Sequence, residues 1–176
     1  MIWAAAPAVT VNQTVEFNQP VETPAQVARR MEEVNEAQKS VLFRKFSAHF
    51  GGDVKGRTVA MWGLAFKPGT DDMREAPALV LISKLLEAGC RVRVSDPVAM
   101  DECRRRIGDK VEYCRDMYEA AVDADALMLV TEWKEFRVPS FAVLSKTMKE
   151  KVVIDGRNIY DREEAEENGF AYYKIG

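Results

Sequence analysis

The chain has 176 residues, of which 47% are hydrophobic and 30% charged, and its net charge is −3. This is the composition of one compact globular domain with something attached, and it excludes a disordered chain. The acidic balance supplies no basic field for nucleic acid, so none is expected as a partner.

In chain order, residues 1–22 carry no clear periodicity and are broken by Pro7 and Pro20. They are read as an N-terminal arm, poorly ordered or lent to a partner as a strand. No run of about 20 apolar residues occurs, so no membrane span is expected. At Thr23-Pro24 a helix begins, with threonine as the N-cap and proline in the first helical position. Val27, Met31, Val34, Val41, Leu42, Phe46 and Phe50 then recur on one helical face until Gly51-Gly52 stops the run. The spacing predicts one long helix within 23–52, whose apolar stripe packs either on its own domain or on a second copy.

From residue 53 to 176 strands and helices alternate. Thr58 to Leu64 reads as a strand buried on both faces, and Pro77 to Ala88 as a helix with Leu79, Ile82, Leu85 and Leu86 on one side. Arg91 to Ser95 is a strand, Met100 to Ile107 a basic helix, Val111 to Cys114 a short strand and Met117 to Val122 a helix. Ala126 to Thr131 is a strongly buried strand, followed by a helix over 139–148 and a strand over 152–154. Arg162 to Glu167 is an acidic helix and Phe170 to Lys174 the last strand. The expected fold is α/β: a Rossmann-like parallel sheet with helices on both faces, preceded by one long helix.

Ligands of open parallel sheets bind beyond the carboxyl ends of the strands. That rule selects the loop from Ala65 to Arg74, then Asp96, Glu132, Trp133 and the run Asp155-Gly156-Arg157. The first loop has only Gly63 and Gly69, so it is neither a G-x-G-x-x-G turn nor a P-loop. Lys67 is a point charge suited to a phosphate or sugar oxygen, and Arg157 offers a fork of donors; both also suit solvated surface. Arg74 stands where a helix should start, a place that disfavours cations. Either Asp71, Asp72 and Glu75 neutralise it, or it attracts a phosphate together with the helix end. Asp96 is a candidate ribose acid or a turn starter with Pro97. Trp133 and Phe66 would stack on a ring or fill the rim of the core.

No catalytic set emerges. His49, the single histidine, falls on the long helix. Cys90, Cys103 and Cys114 form no CxxC pair and lie on regular elements, so they are read as reduced thiols of a cytoplasmic protein. No metal set is present.

The stretch from Gly56 to Pro97, and above all GLAFKPGTDDMREAP, closely resembles the C-terminal domain of UDP-glucose dehydrogenases. VNEAQK at 34–39, VTEWKEF at 130–136 and IDGRNIYD at 154–161 agree in the same order, so the resemblance runs from about Thr23 to the C-terminus. It implies a UDP-sugar-binding Rossmann-like domain over 53–176 and a dimer helix over 23–50. Phe66, Lys67 and Arg157 would then contact the nucleotide sugar, and Arg74 would reach towards the phosphates of NAD held by another domain. The family oxidises UDP-glucose to UDP-glucuronate with NAD through a cysteine in a GGxCxPKD-like loop. No such loop occurs in these 176 residues. The resemblance therefore implies no activity, and no NAD bound, by this chain alone. GDP-mannose or a UDP-N-acetylhexosamine is the alternative substrate, and a non-catalytic UDP-sugar-binding or dimerisation module the alternative role. Trp62 stands where the family favours a smaller apolar residue, which predicts local repacking.

Overall fold

A computed structural model of the chain describes residues 23–175, with side chains for all of these except 31–38. The arm expected over 1–22 lies outside the described residues. The helix start is as the sequence predicts. Thr23 Oγ1 accepts from the Gln26 backbone N–H at 3.3 Å, and the Gln26 side chain accepts from the Thr23 N–H at 2.8 Å. These reciprocal bonds satisfy two of the donors a helix leaves unpaired at its start.

The single helix expected over 23–50 is instead two, α1 (Pro24–Lys39) and α2 (Val41–His49), divided at Ser40. Ser40 keeps a right-handed helical backbone (φ −93°, ψ −7°), so the interruption is local. The two parts have different surroundings. Leu42 and Phe46 of α2 are buried, while residues 24–30 of α1 are exposed. The amphipathic repeat spans both, and among the described side chains it is Leu42 and Phe46 of α2 that enter the core, while Val27 of α1 is exposed. Gly51 and Gly52, at φ 65° and 88°, end α2 in the left-handed region.

Twelve elements follow, and their strands form one parallel sheet. They are β1 (Thr58–Trp62), α3 (Pro77–Glu87), β2 (Arg91–Ser95), α4 (Met100–Ile107), β3 (Glu112–Tyr113) and α5 (Met117–Ala121). Then come β4 (Ala126–Leu129), a 3-10 turn over Lys134–Phe136, α6 (Phe141–Thr147), β5 (Val152–Asp155), α7 (Arg162–Glu167) and β6 (Ala171–Lys174). The strand order is β3-β2-β1-β4-β5-β6, with every pair parallel. This is the doubly wound Rossmann-like arrangement, and its order reverses between β1 and β4.

β1, β4 and β5 are buried at every position, as near-continuous apolar strands covered on both faces must be. The buried face of α3 is Ala78, Leu81, Ile82 and Leu85, rotated from the expected face; Leu79 and Leu86 pack only partly. Trp62 lies at the centre of the sheet. Its indole is fully buried, stacks on Phe136 at 5.5 Å and donates to the Met117 carbonyl at 2.8 Å. That donation removes the cost of burying the indole N–H and ties β1 to the start of α5.

Candidate functional site

The chain reversal point between β1 and β4 is drawn tight by a glycine. Gly63 follows β1 at φ 92°, and a Cβ there would lie 2.5 Å from Thr131 after β4. Only glycine permits that approach. The Thr131 hydroxyl in turn donates to the Ala65 carbonyl at 2.6 Å, so the two loops leave the sheet together.

Two buried carboxylates shape the loops that follow. Asp96, at the end of β2, accepts from the backbone N–H groups of Leu64, Ala65, Val98 and Ala99 and from the Trp133 indole N–H. Its acceptor capacity is spent on loop architecture, which settles it as a structural residue. Trp133 is correspondingly a rim filler held by Asp96, with 8% of its surface exposed. Asp155, at the end of β5, accepts from the N–H groups of Arg157, Ile159 and Tyr160 and from the Tyr172 hydroxyl. Burial, and then the hydrogen bond it donates to Asp155, push the Tyr172 phenol upward.

Arg157 projects from the loop that Asp155 shapes. Its Nε donates to the Val130 carbonyl at 2.9 Å, and its Nη2 lies 3.4 Å from the Phe66 carbonyl oxygen. Glu132 Oε2 stands 2.6 Å from the same Nε, an ionic contact, because the proton is directed at Val130. The loops after β1, β4 and β5 are thus laced by one guanidinium.

Beside it opens a cavity of about 500 Å³, bounded by Phe66, Val130, Gly156 and Arg157 from the sheet loops, Pro77 and Leu81 of α3, and Lys39 and Leu42 of the N-terminal helices. Phe66 is 49% exposed, an aromatic surface free for stacking. A larger depression of about 690 Å³ lies at the opposite edge, where Thr58 and Arg91 begin their strands. Its Arg93 is already bonded to Glu112 and to the Val122 carbonyl. Open parallel sheets bind at carboxyl ends, so the smaller cavity is the functional candidate.

The residues singled out by sequence separate here. Phe66 and Arg157 meet at the cavity. Lys67 is exposed next to Phe66 and does not line it. Arg74 is held by Asp72 through Nε and Nη2 at 3.0 and 2.9 Å, so of the three acids near it Asp72 neutralises it. That hydrogen-bonded guanidinium holds the Asp72 carboxyl down at about 2. His49 bonds the Tyr173 hydroxyl at 2.8 Å and plays no part in the cavity. Sequence reasoning missed Lys39 and Glu75, whose side chains approach to 3.6 Å at the cavity's edge. Glu75 carries a signal only in its backbone, a left-handed φ of 58°.

A dinucleotide does not fit a site of its own in this sheet. The loop after β1 lacks the glycine fingerprint, and Asp96 has no lone pair left for a ribose. The three thiols are buried, an environment that disfavours the thiolate. Burial pushes Cys90 up to about 11 and raises Cys103 and Cys114. Among the described residues no group of His, Cys, Asp and Glu stands ready for a metal ion, and no helix is long and apolar enough to cross a membrane.

Residues 60–162 match the family model described as UDP-glucose/GDP-mannose dehydrogenase family, UDP binding domain. The chain is 47% identical over 157 residues to a UDP-glucose 6-dehydrogenase of Pseudomonas aeruginosa, covering 86% of this chain and 35% of that protein. It is 43% identical over 162 residues to the UDP-glucose 6-dehydrogenase of Rhizobium meliloti, covering 92% and 37%. A solved UDP-glucose dehydrogenase from Pyrobaculum islandicum superposes with a TM-score of 0.70 at 31% identity, over 84% of this chain and 31% of that one. The chain therefore spans about a third of the length of the relatives it matches.

Proposed function

The chain belongs to the UDP-glucose/GDP-mannose dehydrogenase family as its UDP binding domain, and on that premise we propose that it is the nucleotide-sugar-binding part of an NAD-dependent UDP-glucose 6-dehydrogenase. The observation that carries the proposal is the lacing of three loops by Arg157 beside the cavity at the carboxyl ends of β1, β4 and β5. A fork of donors, an exposed Phe66 ring and apolar walls suit a nucleoside diphosphate: charged at one end, flat at the other.

In this reading Phe66, Lys67 and Arg157 bind UDP-glucose. Lys67, exposed next to Phe66, meets phosphate or sugar oxygens. Arg74 is the residue that reaches NAD held by another domain; its pair with Asp72 is exposed and cheap to exchange. The domain 53–176 holds the nucleotide and the helical segment 23–50 pairs two copies. NAD supplies hydride acceptance in the whole enzyme, and this chain alone has no dehydrogenase activity. The three buried unpaired thiols fit a cytoplasmic setting.

Isothermal titration of UDP-glucose into the chain, with Arg157→Ala and Lys67→Ala beside it, tests the reading. We expect binding that each variant weakens. Absence of binding by the unaltered chain would overturn a self-contained nucleotide site, and reduction of NAD by the chain alone would overturn the lack of activity. GDP-mannose and a UDP-N-acetylhexosamine, titrated in parallel, identify the sugar nucleotide.

A further inference from the structure

Glu132 carries an unsatisfied atom. Its Oε2 is buried and accepts no hydrogen bond, although it lies 2.6 Å from Arg157 Nε. The single Nε proton is directed to the Val130 carbonyl, 2.9 Å away. Two acceptors from the segment that follows β4 thus crowd one donor, and the charged acceptor is the one left out. A buried carboxylate oxygen without a donor costs stability, so its retention here calls for a reason.

The reason lies at the other end of the guanidinium. That group is planar, so the direction of Nε–H is fixed by where the Nη atoms lie. Nη2 now rests 3.4 Å from the Phe66 carbonyl oxygen, a long and therefore weak contact. Arg157 lines the cavity, and its side chain is 32% exposed. A phosphate oxygen in that cavity is a stronger acceptor than the carbonyl and draws the Nη groups to itself. The plane turns with them, and Oε2 is the acceptor already beside Nε. Resting on the nucleotide-sugar reading of this cavity, we propose that Glu132 is a positioning residue: its Oε2 takes the Nε proton of Arg157 when a diphosphate engages the Nη groups, and so fixes the guanidinium in its ligand-bound orientation.

The experiment is isothermal titration of UDP and of uridine into the full chain and its variants. Glu132→Gln and Glu132→Ala both remove the charge, but only glutamine keeps an oxygen acceptor, so their difference isolates the hydrogen bond. Oε2 accepts nothing in the ligand-free chain, so neither variant strips a buried donor of its partner there. Glu132→Ala should bind UDP about ten-fold more weakly than Glu132→Gln, the scale of one hydrogen bond to a charged group. Uridine, without phosphates, should bind alike to the unaltered chain and to both variants. Nitrogen-15 NMR of the Arg157 Nε–H, assigned by its loss in Arg157→Ala, reads the exchange of acceptors directly. Saturation with UDP should move that proton to lower field in the unaltered chain, as a carboxylate replaces a carbonyl, and should fail to do so in Glu132→Ala.

Equal UDP affinity of Glu132→Gln and Glu132→Ala would overturn the proposal. So would an Nε–H signal in the unaltered chain that UDP leaves in place or moves to higher field, a readout that decides even where Glu132→Ala is unstable. Uridine weakened as much as UDP in Glu132→Ala would make Glu132 a structural member of its loop and overturn the proposal as well. In each of these cases, UDP binding that Arg157→Ala weakens keeps the nucleotide reading. No UDP binding by the unaltered chain removes both.

Discussion

Arg157 reaches from the end of β5 to the loop after β1, where its Nη2 stands 3.4 Å from the carbonyl oxygen of Phe66. The two residues are 91 positions apart, and the contact exists because β4 lies between β1 and β5 in the sheet. The backbone that carries the Phe66 ring and the guanidinium of Arg157 thus meet beside the cavity.

Arg157→Lys is therefore expected to bind UDP-glucose at least ten-fold more weakly than the unaltered chain. A lysine keeps the charge but cannot serve Val130, Glu132 and Phe66 from one planar group. Titration calorimetry decides it; affinity within two-fold would mean that charge alone matters there.

Asp96→Ala leaves the N–H groups of Leu64, Ala65, Val98 and Ala99 and the Trp133 indole without their acceptor. A loss of about 3 kcal/mol or more is expected, from unsatisfied buried donors. Urea denaturation followed by tryptophan fluorescence measures it, and a loss below 1 kcal/mol would show that water replaces the carboxylate.

Much of this loop architecture was hidden in the sequence, while the elements were not. Thr23-Pro24, Gly51-Gly52 and Pro77 announce helix boundaries by chemistry that acts over three or four residues, and the structure places the boundaries there. The apolar runs of β1 and β4 are equally local signals. Lys39 and Glu75 carry no such signal, because their meeting depends on how the N-terminal helices seat against the sheet. Ser40 misled for the same reason: the repeat of apolar residues continues through it, but the neighbours change there. Asp96 and Trp133 each left a ligand role and a structural one open in the sequence; the hydrogen bond between them favours the structural one.

Asp72 should titrate far below an ordinary carboxyl. Its folded value is lowered to about 2, chiefly by hydrogen bonds from Arg74. The pair is thus present above the ordinary carboxylate range and is lost as pH falls through about 2. Carbon-detected NMR of the Asp72 carboxyl should give that midpoint, and Arg74→Ala should return it to about 4. A midpoint near 4 in the unaltered chain would contradict the bidentate pair.

The thiols should be silent in the folded chain. Cys90 is pushed up to about 11 by burial, and Cys103 and Cys114 are raised as well. At pH 8 a thiol-specific disulfide reagent should find no fast-reacting group in the native protein and three after unfolding in urea. Rapid native labelling of any one would return that cysteine to the list of reactive groups.

Gly63→Ala should cost about 3 kcal/mol or more, since the methyl meets Thr131 backbone at 2.5 Å and φ is 92°. Thermal unfolding reads this directly; a variant as stable as the parent would mean that the crossover loops yield.

A second glycine has a different consequence. At Gly156 a Cβ would strike the Leu129 carbonyl at 2.5 Å and a Leu42 methyl at 2.8 Å, so α2 rests on bare backbone one residue before Arg157. Helix and guanidinium share a single pivot. Any side chain at position 156 would have to push α2 off the sheet, so the packing of the helix and the start of the Arg157 loop depend on one missing side chain.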